Sequence, residues 1–521
     1  MKKYKLTSES KIVDGVEVFR IRALRDFADV KAGDLGGYIE KKRNLDQKGD
    51  CWIYEEATVY GHAEVSDNAK VYGNAQVSGA AWVWGDTEVF GDAKVSGDAR
   101  VFEGAKVYGN AEVSGYASVS GNGCVRENAR VSGYAWASEN ATVSGHARVY
   151  GNVFVRENAQ VSGYARVRES ACVCAYAHVN ENAKVSGHAT VSGRAQVSGN
   201  AKVYGYASVS ENAEAYGDAE VSENARVSEN AAVKEYARVS GNAFVMENAH
   251  VSGNAEVSGN AVVSGKAQVS GRAHVSGFAH VIDNAMVGGV AEVFGNAVVS
   301  GYANVIDNAM VDEKARVDEK ARVYGKARVC GNSFVTGMAN ISENAKVHGN
   351  AYVSEDCWIH GNAEVSGEAS VYGNAEVSGN AEVSGNTFVY GHAQVLGDTK
   401  VANDAAVYGN ASVSGGAAVY GDAKVYGNAC VSGNAHVSGH ARVYGSATVS
   451  DYAKVYEDAM VCENAIIYED TEVRGNDIVC GDTVVNGNMH LNGSNQAGKE
   501  VAPQEQLNEA VPTVKRKPSG R

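Results

Sequence analysis

Thirteen histidines, nine cysteines and 27 tyrosines carry most of the reactive chemistry of this 521-residue chain. A histidine within hydrogen-bond reach of an acceptor hydroxyl or amine can act as a general base. No two of the thirteen are 18 residues apart, a spacing that matters below, and His274 and His280 are six apart. Serine recurs at fixed intervals, so no Ser-His-Asp order stands out from the background. Cys172-Val173-Cys174 places two thiols on either side of one valine, with no histidine cluster nearby, and metal-ligand spacing is absent. Nine is an odd number of cysteines, there is no CxxC, and the start MKKYKLTSESK lacks the apolar run of a secretory signal. Reduced thiols in a cytoplasm are therefore expected. The glycines are periodic, which makes them corners and not phosphate-binding loops.

The elements that must carry these side chains follow from a period of six. The unit reads V-[S/Y]-[G/E]-N-A-x, as in Val251-Ser252-Gly253-Asn254-Ala255-Glu256. With the phase set at Ile53, 74 hexads run without insertion or deletion over residues 53–496. Val fills 67 of the first positions and Ala 62 of the fifth, so the interior of the fold must be narrow and repetitive. A β-branched first residue suits a short extended segment with its side chain inward, and its two neighbours then point outward. Gly-Asn or Glu-Asn marks a corner, where left-handed backbone angles are expected. One such strand cannot bury its valine alone, but stacked coils can.

Composition excludes the main alternatives. Only seven leucines occur, too few for helix bundles, helical repeats or doubly wound α/β folds. The three prolines, Pro503, Pro512 and Pro518, all lie near the C-terminus. No stretch approaches the length of a membrane span. The net charge of −15 disfavours nucleic acid as a partner, since that needs a basic footprint.

The uninterrupted hexads resemble the left-handed parallel β-helix of hexapeptide-repeat proteins. The resemblance implies an all-β solenoid with three hexads per coil and about 24–25 coils. A second resemblance lies at the N-terminal end. The run Asp26-Phe27-Ala28-Asp29-Val30-Lys31-Ala32-Gly33-Asp34-Leu35-Gly36-Gly37, followed by Gly49-Asp50-Cys51-Trp52-Ile53-Tyr54, is similar to YdcK-like β-helix proteins of bacteria and their phages. Those proteins are often labelled transferases, a label that rests on fold.

A coil of 18 residues makes residues 18 apart neighbours. Tyr372, Tyr390, Tyr408, Tyr426 and Tyr444 then form one outward ladder. It is either ring packing that stabilises the stack or an aromatic platform for a sugar, a base or a protein. Tyr54, Tyr72, Phe90 and Tyr108 form a second ladder, Trp84 and Phe102 a pair, and Asn344, Asn362 and Asn380 a corner stack. Lys70, Glu88 and Lys106 alternate in sign up one column. Cys462 and Cys480 are also 18 apart, a spacing that permits thiol contact or a disulfide under oxidation, with a chance pair the first expectation.

Residues 1–52 break the period and read as an N-terminal cap, with a β-hairpin turning at Asp14-Gly15. Residues 53–496 are the β-helix, and residues 497–521, ending in KRKPSGR, read as a disordered tail. The Ala rule fails in five consecutive hexads at Thr471, Asp477, Thr483, Met489 and Asn495. An inward Asp477 is costly, so the last coils are expected to loosen or to be capped differently.

Function divides into two main readings. The first is a non-enzymatic rigid rod, a structural or binding scaffold, cytoplasmic or virion-associated, with a protein or glycan partner, no cofactor and no membrane. The second follows from the hexapeptide-repeat resemblance: a homotrimeric acyltransferase with an acyl-CoA donor and a histidine base. Enzymes of that class use protruding loops or an added domain to wall the site, and the 74 hexads offer neither. An ice-binding face would want regular Thr-x-Thr ranks, and the flanks here are charged or variable.

Overall fold

The computed structural model describes residues 2–487 and the backbone of the strands His490–Asn492 and Gln496–Ala497. It is an all-β parallel β-solenoid. The chain falls into two compact units, Met1–Gly379 and a second from Asn380 onward. Among the described residues no helix is long and apolar enough to cross a membrane.

In the first unit a short strand recurs every six residues, as at Lys70–Val71, Gln76–Val77 and Trp82–Val83. Each pairs in parallel with the strand 18 residues on, so Lys70 lies opposite Glu88 and Glu88 opposite Lys106. The 18-residue register holds equally within the second unit, where Glu382 pairs with Lys400 and Tyr390 with Tyr408. Three backbone N–H groups per hexad donate to the next coil. Lys70 donates to the Thr87 carbonyl, Tyr72 to Val89 and Asn74 to Gly91, at 2.8–3.0 Å. The first-position valines and fifth-position alanines form the core and are essentially fully buried. Apolar burial at about 25 cal/mol per Å² is what drives coils to stack.

The corner differs in one respect from the sequence expectation. The left-handed residue is the third of the hexad, and the Asn after it is not left-handed. Gly is favoured there for space as well as for φ: a Cβ on Gly97 would lie 2.8 Å from the Gly115 nitrogen. Glu takes the same position at φ near +60°, as at Glu127 and Glu235. Its carboxylate accepts the N–H of the glycine one coil on, Glu127 from Gly145 at 2.7 Å and Glu235 from Gly253 at 2.8 Å. That charge-assisted bond offsets the backbone cost of about 1–2 kcal/mol. The Asn instead builds side-chain ladders, with Asn122 donating to Asn140 and Asn140 to Asn158.

At the N-terminus, β1 (Tyr4–Val13) and β2 (Val16–Ala23) form the expected hairpin, with Asp14 and Gly15 both at positive φ. β3 (Leu35–Ile39) pairs antiparallel with β2 and parallel with Thr58–Val59. Leu45 bridges Val65, and Trp52–Ile53 pairs with Lys70–Val71. Each of the three strand columns thus begins on a residue outside the regular phase or at its start. Phe27 packs edge-on against buried Trp52 at 5.3 Å.

The second unit stays regular to Val485, through the first three of the five hexads where loosening or a different cap was expected. Buried hydroxyls at the fifth position donate to the carbonyl three residues back, Thr399 to Leu396 at 2.6 Å and Thr471 to Tyr468 at 2.7 Å. Asp477 is buried, and among the described residues neither carboxylate oxygen has a hydrogen-bond partner. Met489, Asn495 and the tail beyond Ala497 lie outside the described residues. Cys462 and Cys480, 18 apart in sequence, are brought to a Cα–Cα distance of 4.7 Å. In-register strands bring equivalent backbone positions into the range that a disulfide spans.

Candidate functional site

Outward side chains at the second and sixth positions flank each inward valine, and in-register stacking sorts them into straight columns. In the second unit Tyr390, Tyr408, Tyr426 and Tyr444 occupy one such column. Their rings stack nearly parallel, with centroids 4.8, 4.9 and 5.0 Å apart. All four are half-buried, so ring faces are spent on one another and the edges meet solvent. Burial, and next the Tyr390 hydroxyl, pushes the Tyr408 phenol up to about 12. Tyr372, the remaining expected member, belongs to the first unit, after the strand Ser370–Val371.

In the first unit Tyr72, Phe90 and Tyr108 stack at 4.7 Å, and Trp84 stacks on Phe102 at 4.5 Å. Tyr54 turns edge-on to Tyr72 because its hydroxyl donates to Asp29 of the N-terminal segment at 2.9 Å. Asn344 donates to Asn362 as expected, while Asn380 belongs to the second unit. Lys106 pairs with Glu88 at 3.3 Å, whereas Lys70 reaches Asp29 at 3.4 Å.

A second contact rule escaped the sequence reading, which compared only residues 18 apart. A second-position side chain also reaches the sixth-position side chain 16 residues on. Tyr204 donates to Glu220 at 2.7 Å, and Arg328 donates to the buried Asp312 at 2.6 Å. By the same diagonal His348 Nε2 lies 2.7 Å from Glu364 and His360 Nε2 lies 3.1 Å from Glu376. A carboxylate on one ring nitrogen is how general-base histidines are oriented. The signal was present in the sequence as a spacing of 16. Other histidines stack on tyrosines, His146 on Tyr164 at 4.7 Å and His188 on Tyr206 at 4.9 Å.

Cys172 and Cys174 face outward on the same side of Val173. The neighbouring Cys174 thiol is the largest influence on Cys172 and lowers it. Partial burial opposes it, the Arg156 guanidinium assists it, and Cys172 is held down to about 6 while Cys174 is pushed up. Among the described residues no three His, Cys, Asp or Glu side chains are grouped as a metal site.

Three stretches of the chain, residues 195–211, 423–439 and 435–451, match a family model. The matched family is the YdcK Beta solenoid repeat. The two YdcK matches over residues 423–451 contain Tyr426 and Tyr444 of the ladder. A curated relative, the uncharacterized acetyltransferase YdcK of Escherichia coli (strain K12), is 39% identical over 77 residues. That match covers 13% of this chain and spans 24% of the relative's length.

Proposed function

We propose that the chain is a non-enzymatic scaffold, wound as a left-handed hexapeptide-repeat solenoid, that displays ranks of side chains to a protein or glycan partner. The observation that supports this is the 18-residue register, which keeps outward side chains in straight columns without a protruding loop between Ile53 and Gly379. Solenoid coils interact with their neighbours alone, so whole coils are exchangeable units. The test is deletion. Removing residues 251–268 deletes one coil and leaves every downstream column on its own face. Removing residues 251–256 moves each downstream column to the next face. The first variant is expected to retain the parent circular dichroism spectrum and proteolytic resistance, and the second to lose resistance. Equal behaviour of the two would overturn the reading.

A second reading, an acyltransferase using an acyl-CoA donor as a homotrimer, draws on the relative's name and on the His348–Glu364 pair. Titration calorimetry with acetyl-CoA separates the two. One site per chain, lost on His348→Ala, supports the enzyme. No heat at high micromolar ligand supports the scaffold.

A further inference from the structure

One outward column of the first unit breaks the pattern of its neighbours. Arg130, Arg148, Arg166, Lys184 and Lys202 are stacked in direct register, one per coil. Elsewhere in the same column opposite charges meet at Lys94 with Glu112 and at Glu220–Arg238–Glu256, and the like-charged pair Arg328–Lys346 spans a single step, with Arg328 held by Asp312. Opposite charges in facing positions stabilise a sheet, and like charges destabilise it. Tyrosine or asparagine stacks gain from identical neighbours, but cations do not. All five cations are exposed. Of these five cations only Arg130, at the end of the run, has an ion pair among the described residues, with Glu112 at 3.3 Å. A chain of net charge −15 thus gathers five unneutralised or half-neutralised cations along one line.

The surroundings change over the same coils. The second position of this face is mostly serine, as at Ser78, Ser96, Ser114 and Ser222; over the five cation coils Ser132 and Ser186 keep it, and Tyr150, Arg168 and Tyr204 replace it. The corner before the cations carries His146 stacked on Tyr164. The strands Arg130–Gly133, Arg148–Gly151 and Arg166–Glu169 run four residues instead of two and pair over their full length. Shallow grooves follow the cations, one beside His146 and Tyr164 and one beside Arg168 and Tyr204.

We infer that this face binds an anionic glycan, a linear chain bearing carboxylates or sulfates, laid along the cation column. Four rungs at about 4.8 Å give a line of about 19 Å, and one rung is close to the rise of one sugar in an extended glycan. Guanidinium groups bind carboxylate or sulfate in bidentate fashion. Exposed tyrosine and histidine rings offer apolar faces to sugar C–H groups. Nucleic acid fits less well. Glu112 and Glu220 close both ends of the row and so limit its length against a long nucleic acid. The inference names a partner class for the scaffold reading and rests on that reading only for the site's purpose.

The test uses the full chain with polygalacturonate and heparin as probes, and with dextran and single-stranded DNA as comparisons. The variant is R148E together with K184E. It converts the column to strictly alternating charge, so it is expected to fold at least as well as the parent. Binding of an anionic glycan that weakens at least about tenfold in the variant, with thermal stability equal or higher, is the expected result. Salt is expected to weaken the parent's binding, and dextran is expected not to bind. No binding of either anionic glycan, undiminished binding by the variant, or tighter binding of DNA than of glycan would each overturn the inference. Acetyl-CoA binding in the separate calorimetric test would overturn the scaffold reading while leaving glycan binding standing.

Discussion

Replacing Asp477 by alanine is expected to stabilise the coils around it. The carboxylate lies at a fifth position, where the fold otherwise places alanine or a hydroxyl bonded to a nearby carbonyl. It is 2% exposed, and both oxygens lack a partner among the described residues. A buried polar group left unsatisfied costs about 1–3 kcal/mol, and more when charged. Alanine removes that cost without changing the backbone, because 62 of the 74 hexads already use it at this position. Asp477→Thr is expected to gain similarly, its hydroxyl donating to the Arg474 carbonyl as Thr471 donates to Tyr468. Solenoids unfold locally, so a global midpoint would dilute the effect. Hydrogen exchange read by mass spectrometry on peptides covering residues 455–485 reports it directly. The Met460 amide, which donates to the Asp477 carbonyl, is the most informative site. A gain of about 1–3 kcal/mol slows exchange about fivefold to 150-fold when opening is rate-determining only through its equilibrium. Exchange that is unchanged or faster in both variants would refute the reasoning, since it would mean that the carboxylate is satisfied.

Further predictions follow from the columns and the core. Tyr408→Ala removes two ring stacks and is expected to cost about 1–3 kcal/mol in the second unit, measured by urea unfolding followed by tyrosine fluorescence. The Tyr408 phenol is raised to about 12 in the fold. Its contribution is therefore complete below the ordinary tyrosine value near 10 and is lost as pH rises from about 10 to 12; a stability loss on acidification instead would contradict this. Cys172, held at about 6, is expected to react with iodoacetamide at pH 7 faster than Cys124 and Cys430, which occupy the same hexad position, and to slow below pH 6. Peptide mapping after a short pulse reads this, and Cys174→Ser tests the influence of the neighbouring thiol. Ala255→Leu places three extra carbons in a fully buried site and is expected to cost about 1–3 kcal/mol or more, read as protease nicking near residue 255.

The repeating hexad by itself determined the strand period, the inward Val and Ala, and the corners, because a period of six with one β-branched residue leaves a stacked coil as the way to bury every valine. Given coils of 18, it also placed Tyr390, Tyr408, Tyr426 and Tyr444 in one column. Tertiary structure decided the rest, wherever the outcome depended on the neighbouring coil. Whether the third or fourth corner residue is left-handed is settled by the close approach of successive corners, which leaves no room for a Cβ without adjustment. Contacts such as His348 with Glu364 arise because a side chain at the second position leans along the diagonal to the next strand. Tyr54 leaves its ladder for Asp29, a residue 25 positions away in a segment without the repeat. The sequence contains Arg130, Arg148, Arg166, Lys184 and Lys202 as scattered charges in an acidic chain. Stacking at one strand spacing makes them a line, and only that proximity turns their shared sign into a cost of stability and a site for an anion.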